Sequence, residues 1–351
     1  MGVSMFFSAK EACDYLGIEM PEAWAQVEAL YPVVLNSYYL DLIDRKNLWN
    51  DPIFLQCMPQ VAELEDMDSA TDPLAEEEQS AVPRLIHRYR DRVVLLATGH
   101  CYMRCRFCFR KRAWTRGQEL GVISDQELDA AVAYLQKHPE IHEVLISGGD
   151  PLTLPHQVLL RILETLSALT SITVIRIGSR TPVTLPEILS DEWIEDIAAF
   201  EKVWLLTHFN HPREVTAESE RVCRAFVRRG VPVLNQTVLM RRINDKPEIL
   251  EELSRRLLAI KVKPHYLFHV DPVRGVRHYA TGIEAGLETL RYFRSRLSSL
   301  GVPTFAIDLP EGGGKVALQP EYGKGMCFPS IQNPEHLIDY PDGRLSKNTE
   351  K

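Results

Sequence analysis

Apolar residues recur along this chain in two rhythms. From about residue 93 onward, short runs that are aliphatic or β-branched on both faces alternate with longer stretches whose apolar positions fall three and four apart. The short runs are "VVLLAT" (93–98), "EVLISG" (143–148), "ITVIRIGS" (172–179), "VWLLTHF" (203–209), "PVLNQTVL" (232–239), "HYLFHVD" (265–271) and "PTFAIDL" (303–309). Such runs are predicted to be strands buried on both faces in a parallel sheet. Between them, "SDQELDAAVAYLQKH" opens on Ser124 with Glu127 three residues later, the two halves of a helix capping box. "PHQVLLRILETLSAL", "ESERVCRAFVRRG", "KPEILEELSRRLLAI" and "GIEAGLETLRYFRSRL" continue the helical series.

Strand–helix alternation with short connections predicts βαβ units with right-handed crossovers. Six units fall short of a closed eight-unit barrel, and no dinucleotide glycine fingerprint follows the first strand. The expected fold is therefore α/β, a partial (β/α)6 TIM-like barrel over residues 81–300. Residues 1–80 read as an N-terminal helical extension ("AWAQVEALYPVVLNSYYLDLI") ending in an acidic, turn-rich surface connection over 59–80. Residues 301–351 form a short C-terminal extension. Barrels carry their chemistry at the carboxyl ends of strands. The polar residues gather there: Cys101 after the first, Gly148, Gly149 and Asp150 after the second, Ser179 and Arg180 after the third, then His208, Gln236 and Asp271.

Composition narrows the function. A chain of 351 residues with 45% hydrophobic and 25% charged residues can bury a sizeable core. Its net charge of −8 argues against a sequence-independent grip on nucleic acid. No apolar run is long enough to span a membrane and no export signal opens the chain, so a cytoplasmic protein is expected. The seven cysteines are odd in number and mostly scattered, unlike a disulfide framework. One cluster stands out: Cys101, Cys105 and Cys108, spaced C-x3-C-x2-C in "GHCYMRCRFCFRKR" (99–112). Four thiolates complete a structural zinc site or an ordinary iron–sulfur cluster, whereas three leave one metal position open. Cys223 and Cys327 are single and distant. A zinc site with a distant fourth ligand and a set of incidental buried cysteines are the competing readings.

C-x3-C-x2-C after the first strand of a partial barrel resembles the radical S-adenosylmethionine superfamily. The resemblance implies that Cys101, Cys105 and Cys108 hold a [4Fe-4S] cluster whose fourth iron takes S-adenosylmethionine. It also implies that "SGGDP" (147–151), with Gly148, Gly149 and Asp150, meets the cofactor's amino group. Glycines there would let backbone carbonyls come close to a bound ammonium.

A second anomaly is "DLPEGGGKVAL" (308–318). It is not a P-loop, because Val316 stands where Ser or Thr should follow the lysine. An isolated GGGK reads as a loop tip, yet a lysine on a permissive backbone can also form a Schiff base with an aldehyde cofactor such as pyridoxal phosphate. With the cluster motif, "TDPLAEEEQS", "RYRDRV", "CFRKR", "SGGDPLTL", "IRIGSRTPVTLP", "THFNHPREVT", "LNQTVLMRRIND" and "IDLPEGGGK" make the chain similar to the lysine 2,3-aminomutase family from about residue 80 to 320. By that resemblance Lys315 carries pyridoxal phosphate and Arg88 contacts its phosphate. Arg110 meets the substrate α-carboxylate, and Asp271 and Asp308 meet the distant ammonium of L-lysine. A cation entering a water-poor pocket needs such anionic partners. His208 and Gln236 are further expected cofactor contacts.

The implied reaction is a radical isomerisation that moves the α-amino group of L-lysine to the β-carbon, fed by an electron donor such as flavodoxin or ferredoxin. A homo-oligomer is compatible with the family, although its tetramer does not carry over to this shorter chain. Glu311 replaces the first of the family's four glycines, and Phe268 stands where a tyrosine flanks the pyridine ring. The chain stops 36 residues after Lys315 with only Cys327 there, so no zinc is expected. Alternatives are the lysine aminomutase branch that serves elongation factor P modification, an aminomutase for another amino acid such as arginine, and a non-catalytic iron–sulfur protein. The last would not require Lys315, Asp271 and Asp308 to converge.

Overall fold

The computed structural model describes residues 2–66, 68–114, 120–323, 327–331, 333 and 335–339. Its centre is a ten-stranded sheet whose neighbours follow chain order. The strands are β1 (Ser80–Val82), β2 (Leu85–Tyr89), β3 (Arg92–Thr98), β4 (Glu143–Gly148), β5 (Val174–Gly178), β6 (Val203–Thr207), β7 (Val233–Leu239), β8 (Lys263–His269), β9 (Thr304–Leu309) and β10 (Gly314–Ala317). From β3 to β9 every pairing is parallel. The crossovers carry α1 (Asp125–Lys137), α2 (His156–Ser167), α3 (Asp191–Ala198), α4 (Ala217–Arg228), α5 (Pro247–Ala259) and α6 (Ile283–Phe293). Ser124 caps α1 with the reciprocal Glu127 contact that the sequence signals. This is the partial TIM-like barrel expected from the alternation.

The strand faces differ from the expectation of two dry faces. Along β3, β4, β5 and β7, buried residues alternate with half-buried ones. The buried set, such as Val144, Ile146, Ile175 and Ile177, joins the hydrophobic core that also takes in the crossover helices. The other set, including Leu145, Ser147, Arg176, Gln236 and Val238, lines an interior cavity. A period of two thus separates core from site.

Two further differences lie at the sheet edges. Antiparallel β1 and β2 extend the sheet on one side, and antiparallel β10 extends it on the other. These strands are only three to five residues long, too short for periodicity to show. The expected helical run through residues 23–43 is also interrupted. Its helix, Trp24–Leu30, ends just before Pro32, which cannot supply the next backbone donor. Leu35–Asn36 then pairs antiparallel with Met5–Phe6.

The N-terminal layer packs on the loop that follows β3. Arg104 and Arg106 donate their backbone N–H groups to the carbonyls of Val34 and Gln56 at 2.9 Å each. The acidic connection is not the surface segment its composition suggests. Glu63 is fully buried, accepting from Arg106 at 2.6 and 3.0 Å and from Lys111 at 2.6 Å. Burial alone would raise its carboxyl, but the two cations hold it below the ordinary carboxylate range. Removing one partner of a buried ion pair strands the other charges. Glu63→Ala should therefore lower unfolding free energy by about 3–5 kcal/mol, measured by urea denaturation followed by circular dichroism.

Candidate active site

All thirteen residues singled out from sequence line one cavity of about 640 Å³ on the inner face of the barrel. The Cys108 N–H donates to the Cys105 carbonyl at 3.0 Å, closing the last turn of the cysteine loop. Burial pushes the Cys101, Cys105 and Cys108 thiols above the ordinary range, Cys108 to about 11. Neighbouring thiols add to this at Cys101 and Cys108, whereas Arg180 opposes it at Cys105. Three partly buried thiols on one loop, lining one cavity, fit a cationic metal centre, whose charge would offset theirs on ligation. Among the described residues, no three His, Cys, Asp or Glu side chains group as ligands of a single ion do. Thiolates that each take a different iron of a cluster stand further apart.

The glycines after β4 are required by contacts inside the protein. Gly148 has φ +121°, and a Cβ on it would sit 2.3 Å from the Thr98 carbonyl oxygen. A Cβ on Gly149 would sit 2.2 Å from that of His100. The turn lies flat against the cysteine loop, Gly149 N–H donating to Thr98 at 2.6 Å and Asp150 N–H to His100 at 2.7 Å. The Asp150 carboxylate faces inward along the loops. It accepts from the Leu152 amide at 3.0 Å, the Ser179 hydroxyl at 2.6 Å, and the Arg180 and Thr181 amides at 2.8 Å each. Asp150 thus joins the ends of β4 and β5.

Lys315 lies on β10, directly opposite Asp308 on β9 in the antiparallel register. Opposed residues of a hairpin project from the same face, and Lys315 Nζ is 2.7 Å from Asp308 Oδ2. Gly312 and Gly314 take positive φ in the turn, as does Glu311 at 57°. The Tyr89 hydroxyl accepts the Lys315 backbone N–H at 2.8 Å, tying β10 back to β2. Nζ also lies 3.8 Å from the centroid of the Phe268 ring, which stacks on Tyr266 at 4.9 Å. Burial lowers the Lys315 amine from its ordinary value, with Asp308 pulling the other way. Asp271, just beyond β8, feels both charges. Burial and then the Asp308 carboxylate push it up to about 7.

Arg110 and Arg88 enter the cavity with partners that the sequence did not foretell. Arg110 donates Nε to both Glu76 oxygens at 2.9 and 3.2 Å, one terminal nitrogen to Glu76 at 2.7 Å, and the other to the Ser147 hydroxyl at 3.1 Å. Arg88 gives Nε to Gln79 at 2.7 Å and a terminal nitrogen to the Leu74 carbonyl at 2.6 Å. His208 Nε2 donates to Asn210 Oδ1 at 3.1 Å, and burial, then Arg180, lower its imidazole to about 3, so it is neutral. Gln236 stands on the inward face of β7. Sequence reasoning missed Glu76, Tyr89 and Arg176. Arg176 is ion-paired to Glu143 yet keeps a buried Nε without a partner among the described residues. A cation on an inward strand position was the available signal.

Three cysteines on the loop after the first parallel strand, lining a cavity that also takes in a half-buried lysine, are the arrangement that the resemblance to radical SAM enzymes predicts. The sequence model of the Radical SAM superfamily matches residues 95–253. A protein of Aquifex aeolicus (strain VF5) is 43% identical over 90% of this chain and 85% of its own length. The L-lysine 2,3-aminomutase of Clostridium subterminale is 40% identical over 87% of this chain and 73% of its own. The glutamate 2,3-aminomutase of Clostridioides difficile (strain 630) is 38% identical over 87% and 72%. The chain belongs to the lysine 2,3-aminomutase family. It is thus a radical SAM aminomutase, an isomerase whose family implies a [4Fe-4S] cluster, S-adenosylmethionine and pyridoxal phosphate.

The packing of the glycine turn gives a direct test. Gly149→Ala must push the cysteine loop away from β4, an overpacking that costs about 1–3 kcal/mol. After anaerobic reconstitution the variant should retain far less iron and sulfide per chain than wild type, read by elemental assay and by visible absorbance.

Proposed function

We propose that this chain converts L-lysine to β-lysine, with Cys101, Cys105 and Cys108 as cluster ligands and Lys315 as the pyridoxal phosphate lysine. The observation that carries the proposal is the meeting of Lys315, Asp308 and Asp271 in the cavity that the three thiols also face. Two carboxylates at one point of a buried wall suit a substrate with a cationic tail and oppose an anionic one. A glutamate side chain would bring a third negative charge to that point.

When bound, the cluster with S-adenosylmethionine supplies a carbon radical able to take a hydrogen atom, and pyridoxal phosphate supplies a π-system that spreads the unpaired electron. The residues of the chain position and shield. Asp271 and Asp308 hold the substrate's distant ammonium. Arg110 has five N–H groups; Glu76 takes two and Ser147 one, which leaves two for a carboxylate. Arg88 offers its remaining donors to a phosphate. Neutral His208 and Gln236 border the cofactor space without adding charge. Asp150 keeps the loop backbone fixed, so the reacting partners meet at a set distance. A low-potential one-electron donor completes the cycle.

The decisive experiment is an anaerobic assay of reconstituted enzyme with S-adenosylmethionine, pyridoxal phosphate, a reductant and L-lysine, with L-arginine and L-glutamate in parallel. β-Lysine from wild type and none from Lys315→Ala, read by chiral mass spectrometry, is the expected result. Deoxyadenosine release without β-lysine, or a β-amino acid from arginine or glutamate alone, would overturn the lysine assignment. Asp308→Asn should raise KM for lysine by about 10-fold or more, because one partner of a buried charge pair is lost.

The Asp271 carboxyl adds a pH signature. With its value raised to about 7, it is increasingly protonated below that pH and can no longer attract an ammonium. The KM for lysine should therefore rise as pH falls from 8 to 6, by about 10-fold per unit at most. Asp271→Asn should flatten that slope. A slope unchanged in the variant would assign the titration to another group.

A further inference from the structure

Arg180, beyond the end of β5, is buried to 8% exposure and has no part in the substrate contacts above. Its guanidinium is held on three sides. Nε donates to the His208 carbonyl at 3.2 Å, and one terminal nitrogen donates to Gln56 Oε1 at 2.6 Å, Glu214 Oε1 at 2.7 Å and the Tyr39 hydroxyl at 3.2 Å. The other terminal nitrogen lies 2.7 Å from Cys105 Sγ. Its backbone N–H is fixed by Asp150 at 2.8 Å. Glu214 is itself saturated, accepting from the Tyr39 hydroxyl at 2.6 Å and from the Asn210 and His211 amides at 2.6 and 2.8 Å. With Nε and one terminal nitrogen fixed this way, the planar guanidinium sets where the other terminal nitrogen lies, and one of its N–H groups meets the sulfur.

We propose that Arg180 is a positioning residue that hydrogen-bonds the Cys105 sulfur and raises the reduction potential of the iron–sulfur cluster. The proposal rests on Cys105 being a cluster ligand, so that its thiol here stands in for a ligating thiolate. Reduction moves one electron from a low-potential donor onto the cluster, taking it from the 2+ to the 1+ state with no bond broken and no proton required. The added charge is shared with the ligating sulfurs. A donor N–H and a buried positive charge beside one of them favour the reduced state over the oxidised one. Glu214 offsets part of the charge and leaves the hydrogen bond as the local term. Because Tyr39 and Gln56 belong to the N-terminal extension, the same contact seats that extension over the cluster loop.

The test is a redox titration with dithionite, monitored by electron paramagnetic resonance, without S-adenosylmethionine or lysine. The signal reports only cluster-loaded protein, so incomplete loading does not obscure it. Two variants are compared with wild type. Arg180→Lys keeps the charge but loses the planar fork that reaches Glu214 and the sulfur together. The double variant Arg180→Met with Glu214→Gln removes the buried pair as a unit and leaves no stranded carboxylate. Both should reduce less readily, the double variant by about tenfold in the reduction equilibrium, which is about 59 mV for one electron. Potentials equal to wild type in both variants would overturn the proposal. So would an unchanged potential combined with lost affinity for S-adenosylmethionine, which would make Arg180 a cofactor contact. A wild-type protein that takes up no cluster would instead remove the assignment of the cysteines.

Discussion

The structure turns on one device used twice: a buried carboxylate set between two cations. The loop that carries the three thiols also carries Arg106, Arg110, Lys111 and Arg112, and the side chains of all four are mostly withdrawn from water. Glu63 accepts from Arg106 and Lys111, and Glu76 from Arg110 and Arg112. Even with Glu63 beside it, burial brings the Lys111 amine down to about 8. Without these acids the loop would bury uncompensated charge at a cost of several kcal/mol per ion. The acidic connection therefore has to fold across the loop. In doing so it reaches the other half of the site, for its Pro73 carbonyl accepts the Glu311 amide at 2.9 Å and its Gln79 holds Arg88.

That dependence explains what the sequence could and could not disclose. Strands β3 to β9 were legible because each is a dense apolar run bounded by turns, and their ends shifted by only a few residues. The helices between them were legible from their spacing and, for α1, from its cap. The site residues were legible as types at strand ends, and the structure gathers them around one cavity. Their partners were not. The acids that neutralise Arg106 and Arg110 lie 43 and 34 residues away, in a segment whose charge density reads as solvated. Composition describes what a side chain prefers alone, whereas burial here is decided by who meets it. The glycines of "SGGDP" are a milder case. Their need for space was evident, but the groups that fill that space are Thr98 and His100 of this chain.

The lysine hairpin follows the same logic at shorter range. β9 and β10 are joined by a turn of only four residues, so their register is fixed and Lys315 must face Asp308. Gly312 could not be replaced cheaply, because its φ of +72° is strained for any L side chain, and a Cβ there would also have to displace the side-chain amide of Gln79. Glu311 takes the left-handed conformation without glycine's freedom, a cost of about 1–2 kcal/mol. The neighbouring contacts, its own amide on Pro73 and the Tyr89 hydroxyl on Lys315, over-determine the turn and hold it there. Rigidity at the base of a long, flexible lysine lets its amine be aimed without freezing the whole side chain.

The electrostatics of that hairpin bear on the choice of substrate. Burial, and then the Asp308 carboxylate, push Asp271 up to about 7, and the Lys315 ammonium, 2.7 Å from Asp308, offsets only part of this. On the proposed function, Lys315 would hold pyridoxal phosphate, and its amine would no longer serve as their full counter-charge. Asp308 and Asp271 would then share less counter-charge, and Asp271, already raised to about 7, would either take up a proton or need another cation beside it. A cation that keeps both carboxylates ionised would arrive on a flexible chain able to reach them from a carboxylate held near Arg110. An ammonium at the end of an amino acid meets that requirement. Neutral side chains leave the pair uncompensated and acidic ones make it worse. On the proposed function, the side of Asp308 that Lys315 Nζ touches at 2.7 Å is where a substrate ammonium would dock.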